Sequence, residues 1–165
     1  EDWHHPDRFV ATAEQIVTTN VLGPIRLIGA FVEHLQTRPS ATIVTVSSGL
    51  AFTPLAATPS YNASKAAIHM LSEGVRLQLA DTGVDVVEIV PPAVATDLMP
   101  GQRDSAIAMP LDEYIAEVLD LLRSSPDAHE ILVERVKFLR YGEVRGDYDE
   151  VVRALNSLDP NARSV

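Results

Sequence analysis

The chain has 165 residues, 46% of them hydrophobic and 22% charged, which suits one folded domain and excludes wholesale disorder. Its formal net charge of -10 argues against a nucleic-acid partner, because an acidic surface repels a phosphate backbone. With no cysteine it can form no disulfide, thiolate nucleophile or cysteine-ligated metal site.

No apolar run reads as membrane-spanning, and the opening EDWHHPDRF lacks the shape of a signal peptide. A cytoplasmic protein with no membrane partner is therefore expected. The chain starts without Met and enters a helical pattern almost at once, as if it were the middle of a protein.

From about Asp7 to Gln36, Phe9, Val10, Ala13, Ile16, Val17, Val21, Ile25, Ile28 and Val32 recur at intervals of three and four. That spacing predicts a long amphipathic helix, kinked at Pro24. ATIVTVS (41–47) is a β-branched run that predicts a buried strand. A loop with Gly49 and Pro54 leads to a helix over about 60–80, and VDVVEIV (84–90) predicts a second buried strand, stopped by Pro91 and Pro92. Residues 99–110 read as irregular and 111–123 as helix. HEILVE (129–134) suggests a short third strand, and Tyr148, Val151, Val152 and Leu155 share one face of a final helix. This alternation predicts an α/β fold with a parallel sheet, about half of a doubly wound one.

Tyr61 and Lys65 stand one helical turn apart on the same face. A cation beside a phenol favours the phenolate and lowers its pKa, which suits proton transfer near neutral pH. A half-buried Tyr with a snorkelling Lys accounts for the bare pair equally well. Ser47 and Ser48 end the first strand, where open α/β sheets bind ligands, although a strand-end Ser also caps turns. Pro91, Pro92, Val94 and Thr96 follow the second strand, either as backbone offered to an amide-bearing ligand or as a plain proline-rich turn. Pro24 has no N–H, so it cannot bond the carbonyl of Asn20 in an α-helix. The freed group could hold a water, or Asn20 could be a solvated residue at a tolerated kink.

Taken together, Asn20, Ser48, Tyr61, Lys65 and the run Pro91-Pro92-Ala93-Val94-Ala95-Thr96 resemble, in order and spacing, the C-terminal half of the short-chain dehydrogenases/reductases. SSGLAFTPLAATPSYNASKAAIH, DTGV and PPAVATDL look closest to the DltE-like branch of that family. The resemblance implies a Rossmann-like doubly wound sheet, of which about three strands with flanking helices are present as a single partial domain over 1–165. It implies NAD or NADP as cofactor and a small carbonyl or alcohol substrate. Tyr61 would be the general acid/base, Lys65 would hold its pKa down and bond the nicotinamide ribose, Ser48 would bond the substrate oxygen, and Asn20 would anchor a water. Pro91, Val94 and Thr96 would border the nicotinamide carboxamide, and residues within 97–125, chiefly 97–110 with Gly101 as hinge, would form a substrate loop. A homodimer or homotetramer through the helices at about 7–36 and 60–80 is also implied.

The family's first half supplies a Gly-rich turn for the pyrophosphate. The glycines at 23, 29, 49, 74, 83, 101, 142 and 146 make no Gly-x-Gly. A rival expectation follows, a truncated or degenerate relative acting as a non-catalytic dimerisation module. A serine hydrolase built on Ser48 lacks the Gly-x-Ser-x-Gly elbow. His4, His5, His34, His69 and His129 show no ligand spacing, so no metal is expected.

Overall fold

The computed structural model describes residues 1–157. The elements run α1 (Val10–Val17), α2 (Gly23–Gln36), β1 (Ala41–Val46), α3 (Pro59–Gln78), β2 (Val84–Ile89), α4 (Leu111–Ser124), β3 (Glu130–Ile131), α5 (Lys137–Arg140), α6 (Gly142–Arg145) and α7 (Tyr148–Ser157). The strands form one parallel sheet in the order β1-β2-β3, with Ala41 opposite Val84 and Val46 opposite Ile89. This is the expected α/β, Rossmann-like class, with helical crossovers between parallel strands.

The long N-terminal helix does not simply kink. Over Thr18–Leu22 it widens to π register, and the Gly23 N–H reaches the Thr18 carbonyl. Pro24 cannot close an α-type bond, and a π turn is one way a helix absorbs that loss without ending. Beyond the bulge, Ile28, Val32 and Leu35 of α2 pack with Ile43, Val84, Val86 and Leu79 on one face of the sheet. As one run, Val10–Gln36 is long and apolar enough to cross a membrane by length and composition. This corrects the sequence expectation. Here the inner side of the run lies on α3 and β1, while Leu27 and Phe31 face outward.

α3 begins with Pro59 at its first turn, where a missing N–H costs nothing. Ile68 and Ser72 on its inner face are almost fully buried against the sheet. The Ser72 and Thr45 hydroxyls meet at 2.7 Å, joining α3 to β1. On the opposite face of the sheet, Val87 and Ile89 contribute to a core of Val90, Met109, Val118, Ile131, Val133 and Val136.

β1 differs from its expectation as a fully buried strand. Ile43 and Thr45 are buried, but Val44 and Val46 are 51% and 50% exposed. Among the described residues nothing covers that face of β1, and β1 pairs only with β2. The outer edge of an interior-type strand is open.

Candidate active site

The parallel register carries the ends of β1 and β2 to the same side of the sheet, and the ladder continues past both strands. The Ser47 N–H bonds Ile89 O at 3.0 Å and the Gly49 N–H bonds Pro91 O at 2.9 Å. Ser48 and Pro91 are thereby neighbours. Ser48 Oγ accepts the Leu50 N–H at 3.1 Å, capping a short 3-10 turn over Gly49–Ala51, and it lies close enough to the Tyr61 hydroxyl to lower that group's pKa. The capping reading of Ser48 is realised, and the same side chain stands beside Tyr61. Ser47 Oγ is buried and has no partner among the described residues.

Lys65 lies 5.6 Å from the Tyr61 ring centroid, and its Nζ donates to the Val46 carbonyl at 3.0 Å. Asn20, on the π turn, donates from Nδ2 to Ser64 Oγ at 3.1 Å. Ser64 in turn donates to the Tyr61 carbonyl at 2.7 Å. Asn20 is thus docked on α3 rather than solvated. Ser64 was not singled out from sequence, although a Ser three residues after Tyr61 on one helix is the back-bonding pattern that could have flagged it.

The electrostatics differ from expectation. Burial pushes the Tyr61 phenol above its ordinary value, and the nearby Ser48 hydroxyl offsets part of that rise. Burial also lowers the Lys65 ammonium. The cation does not pull the phenol down here, because desolvation of the ring dominates and the ammonium is turned to the Val46 carbonyl.

After β2 the chain stays extended. Ala95 N–H bonds Met109 O and Met109 N–H bonds Ala93 O, both at 2.8 Å, so Val94 is buried in a bridge to Met109. Thr96 Oγ1 accepts the Leu98 N–H at 3.4 Å. The Val94 carbonyl accepts the side-chain amide of Gln102 at 2.7 Å. Residues 97–110 form turns that fold back over this segment, and Gly101 has a positive φ of 76°.

A family model described as short chain dehydrogenase matches residues 7–106. The chain belongs to the short-chain dehydrogenase family. It is 41% identical over 145 residues to the uncharacterized oxidoreductase DltE of Bacillus subtilis, covering 86% of this chain and 56% of that protein. The short-chain dehydrogenase RED1 of Pyricularia oryzae is 31% identical over 126 residues, which is 74% of this chain and 44% of that one. Among solved structures, a short-chain dehydrogenase from Burkholderia cenocepacia in complex with NADP superposes with a TM-score of 0.73 at 26% identity, over 90% of this chain and 61% of that chain. The chain spans about half the length of the curated relatives it matches.

The strand ends offer one group suited to the carboxamide of a nicotinamide, the Val94 carbonyl. The Val94 carbonyl already holds a primary carboxamide, that of Gln102, the same functional group that nicotinamide carries. No Gly-rich turn for a pyrophosphate occurs in these 165 residues.

Proposed function

We propose that this chain is the catalytic part of an oxidoreductase that interconverts a small carbonyl compound and its alcohol with NAD(H) or NADP(H). The observation that carries the proposal is the proximity of Tyr61 to Ser48 at the carboxyl ends of two parallel strands, with Lys65 one turn along α3 and 5.6 Å from the Tyr61 ring. A bound dinucleotide supplies or accepts the hydride.

Ser48 donates to the substrate oxygen, orients it and stabilises the charge it acquires. Tyr61, whose burial keeps it protonated at neutral pH, gives its proton to that oxygen in reduction and takes it back in oxidation. Lys65 sits beside the ring as a positive charge and offers Nζ to the ribose of the cofactor. Asn20, fixed through Ser64, presents a main-chain carbonyl that Pro24 cannot cap and holds a water leading from Lys65 to solvent. Pro91, Val94 and Thr96 border the carboxamide, and residues 97–110 close over the substrate.

The test is Tyr61→Phe in the full-length protein. NAD(P)H-linked carbonyl reduction is expected to fall by about 10²- to 10⁴-fold with the fold intact by circular dichroism. Retention of the unmutated rate would falsify the assignment.

A second reading, a non-catalytic dimerisation module, is favoured by the outward apolar residues of the N-terminal helix, Val17, Leu22, Leu27 and Phe31. A full-length protein that dimerises yet binds neither NADH nor NADPH would support it.

A further inference from the structure

His69, Glu88 and Glu130 come together where α3, β2 and β3 meet, four residues along α3 from Lys65. Glu88 is completely buried in the sheet, an expensive place for a carboxylate. His69 Nδ1 lies 2.8 Å from Glu88 Oε2 and 3.9 Å from Glu130 Oε1. The other Glu88 oxygen, Oε1, is buried and has no hydrogen-bond partner among the described residues. Protonating His69 does not cure this, since Nδ1–H serves Oε2 and leaves Oε1 without a donor. Arg140 places its Nε and one terminal nitrogen on the two oxygens of Glu130 at 2.9 and 3.0 Å, and it makes no hydrogen bond to Glu88. Glu88 and Glu130 thus share the neighbourhood of one guanidinium.

We propose that His69 Nδ1, Glu88 and Glu130 bind a divalent cation of the zinc type, which pins α3 to β2 and β3. Bonds of about 2.0–2.2 Å in a tetrahedral shell set donor atoms about 3.3 Å apart, and the separations of 2.8 and 3.9 Å lie on either side of that value. The three donor atoms all lie within 4.8 Å of one another, so the carboxylates would draw in to close the shell. The surroundings fit as well. The remaining ring nitrogen of His69, Nε2, faces the Glu73 carboxylate at 3.8 Å, near enough for attraction but too far for a hydrogen bond. Phe52 packs edge-on against the His69 ring at 4.6 Å and carries the Arg140 guanidinium 4.2 Å above its own ring, so ligand and supporting cation are fixed by one aromatic. His69 and Glu130 keep 14% and 20% side-chain exposure, leaving a way in for the ion and a water as fourth ligand. One imidazole nitrogen with two carboxylates suits Zn²⁺ better than Mg²⁺ or Ca²⁺, which take oxygen shells.

The test uses the full-length protein, stripped with a chelator and titrated with Zn²⁺ by calorimetry and with Co²⁺ by visible absorption. One ion per chain is expected. Glu88→Gln, which preserves shape, is expected to weaken binding by more than about 100-fold. His4→Ala with His5→Ala is expected to leave binding unchanged. No saturable binding, binding that survives Glu88→Gln, or binding lost with the His4 and His5 pair each overturns the proposal. The Co²⁺ spectrum of the unmutated protein decides the matter even if a variant fails to fold, since absence of tetrahedral visible bands also overturns it.

Discussion

Lys65 Nζ donates to the main-chain carbonyl of Val46, 3.0 Å away, at the last residue of β1. A cation is held at a strand end with burial working against its charge. Because its folded pKa is lowered, the unfolded chain binds the proton more tightly. The folded state gains from this group only above the unfolded value of about 10.5, and the gain is lost as pH falls through the folded value. Lys65→Met removes this opposition. Its urea midpoint is expected to exceed that of the unmutated protein at pH 7, and the difference to shrink as pH rises from the lowered folded value to about 10.5.

The buried pair Thr45–Ser72 ties the helix bearing Tyr61 to β1, which ends two residues before Ser48. Thr45→Val is expected to cost about 1 kcal/mol, since Ser72 keeps its bond to the Ile68 carbonyl at 2.7 Å. The double variant with Ser72→Ala is expected to cost less than the sum of the single ones, read from denaturant unfolding as a coupling energy.

Gly49 follows Ser48 directly, and a Cβ built there would lie 2.7 Å from Leu139 Cδ1 and 2.9 Å from Val136 Cγ2. Gly49→Ala therefore forces α5 and the turn before it away from the 3-10 turn. A loss of about 1–3 kcal/mol is expected in chemical denaturation. The Ser48 position shifts with it, so reductase activity at saturating cofactor is expected to fall more than folded fraction.

Gln102 occupies the Val94 carbonyl with the functional group that nicotinamide would bring. Removing this competitor by Gln102→Ala is expected to tighten NADH or NADPH binding to the full-length protein by about 2- to 10-fold, measured by cofactor fluorescence. Unchanged or weaker binding shows that Gln102 does not compete for that carbonyl.

The strands and α3 were legible because β-branched runs and a 20-residue periodic helix carry strong local signals. Asn20, Ser48, Tyr61 and Lys65 could be nominated from order and spacing, yet their joining through Ser64 and the Val46 carbonyl could not, since both contacts are set by how α3 docks. The half-exposed β1 escaped detection because an apolar run looks the same whether one face or both are covered. Residues 135–145 gave no expectation at all. Their helical turns are three or four residues long, too short for a period, and α5 is held in place by Arg140 on Glu130 and Phe52. The His69 cluster was illegible for a related reason, as its three side chains come from a helix and two strands.

The π turn at Thr18–Leu22 sets how the two halves of the N-terminal helix face one another. Deleting one residue as the turn heals would leave the two faces aligned, whereas forcing the same residues into ordinary α register would turn one half about 100° against the other. α1 could keep its seat on α3, or α2 its seat on β1, but not both. Thr18, Thr19 and Leu22 are exposed, whereas the π register between Val17 and Gly23 is what lets this number of residues meet both docking surfaces.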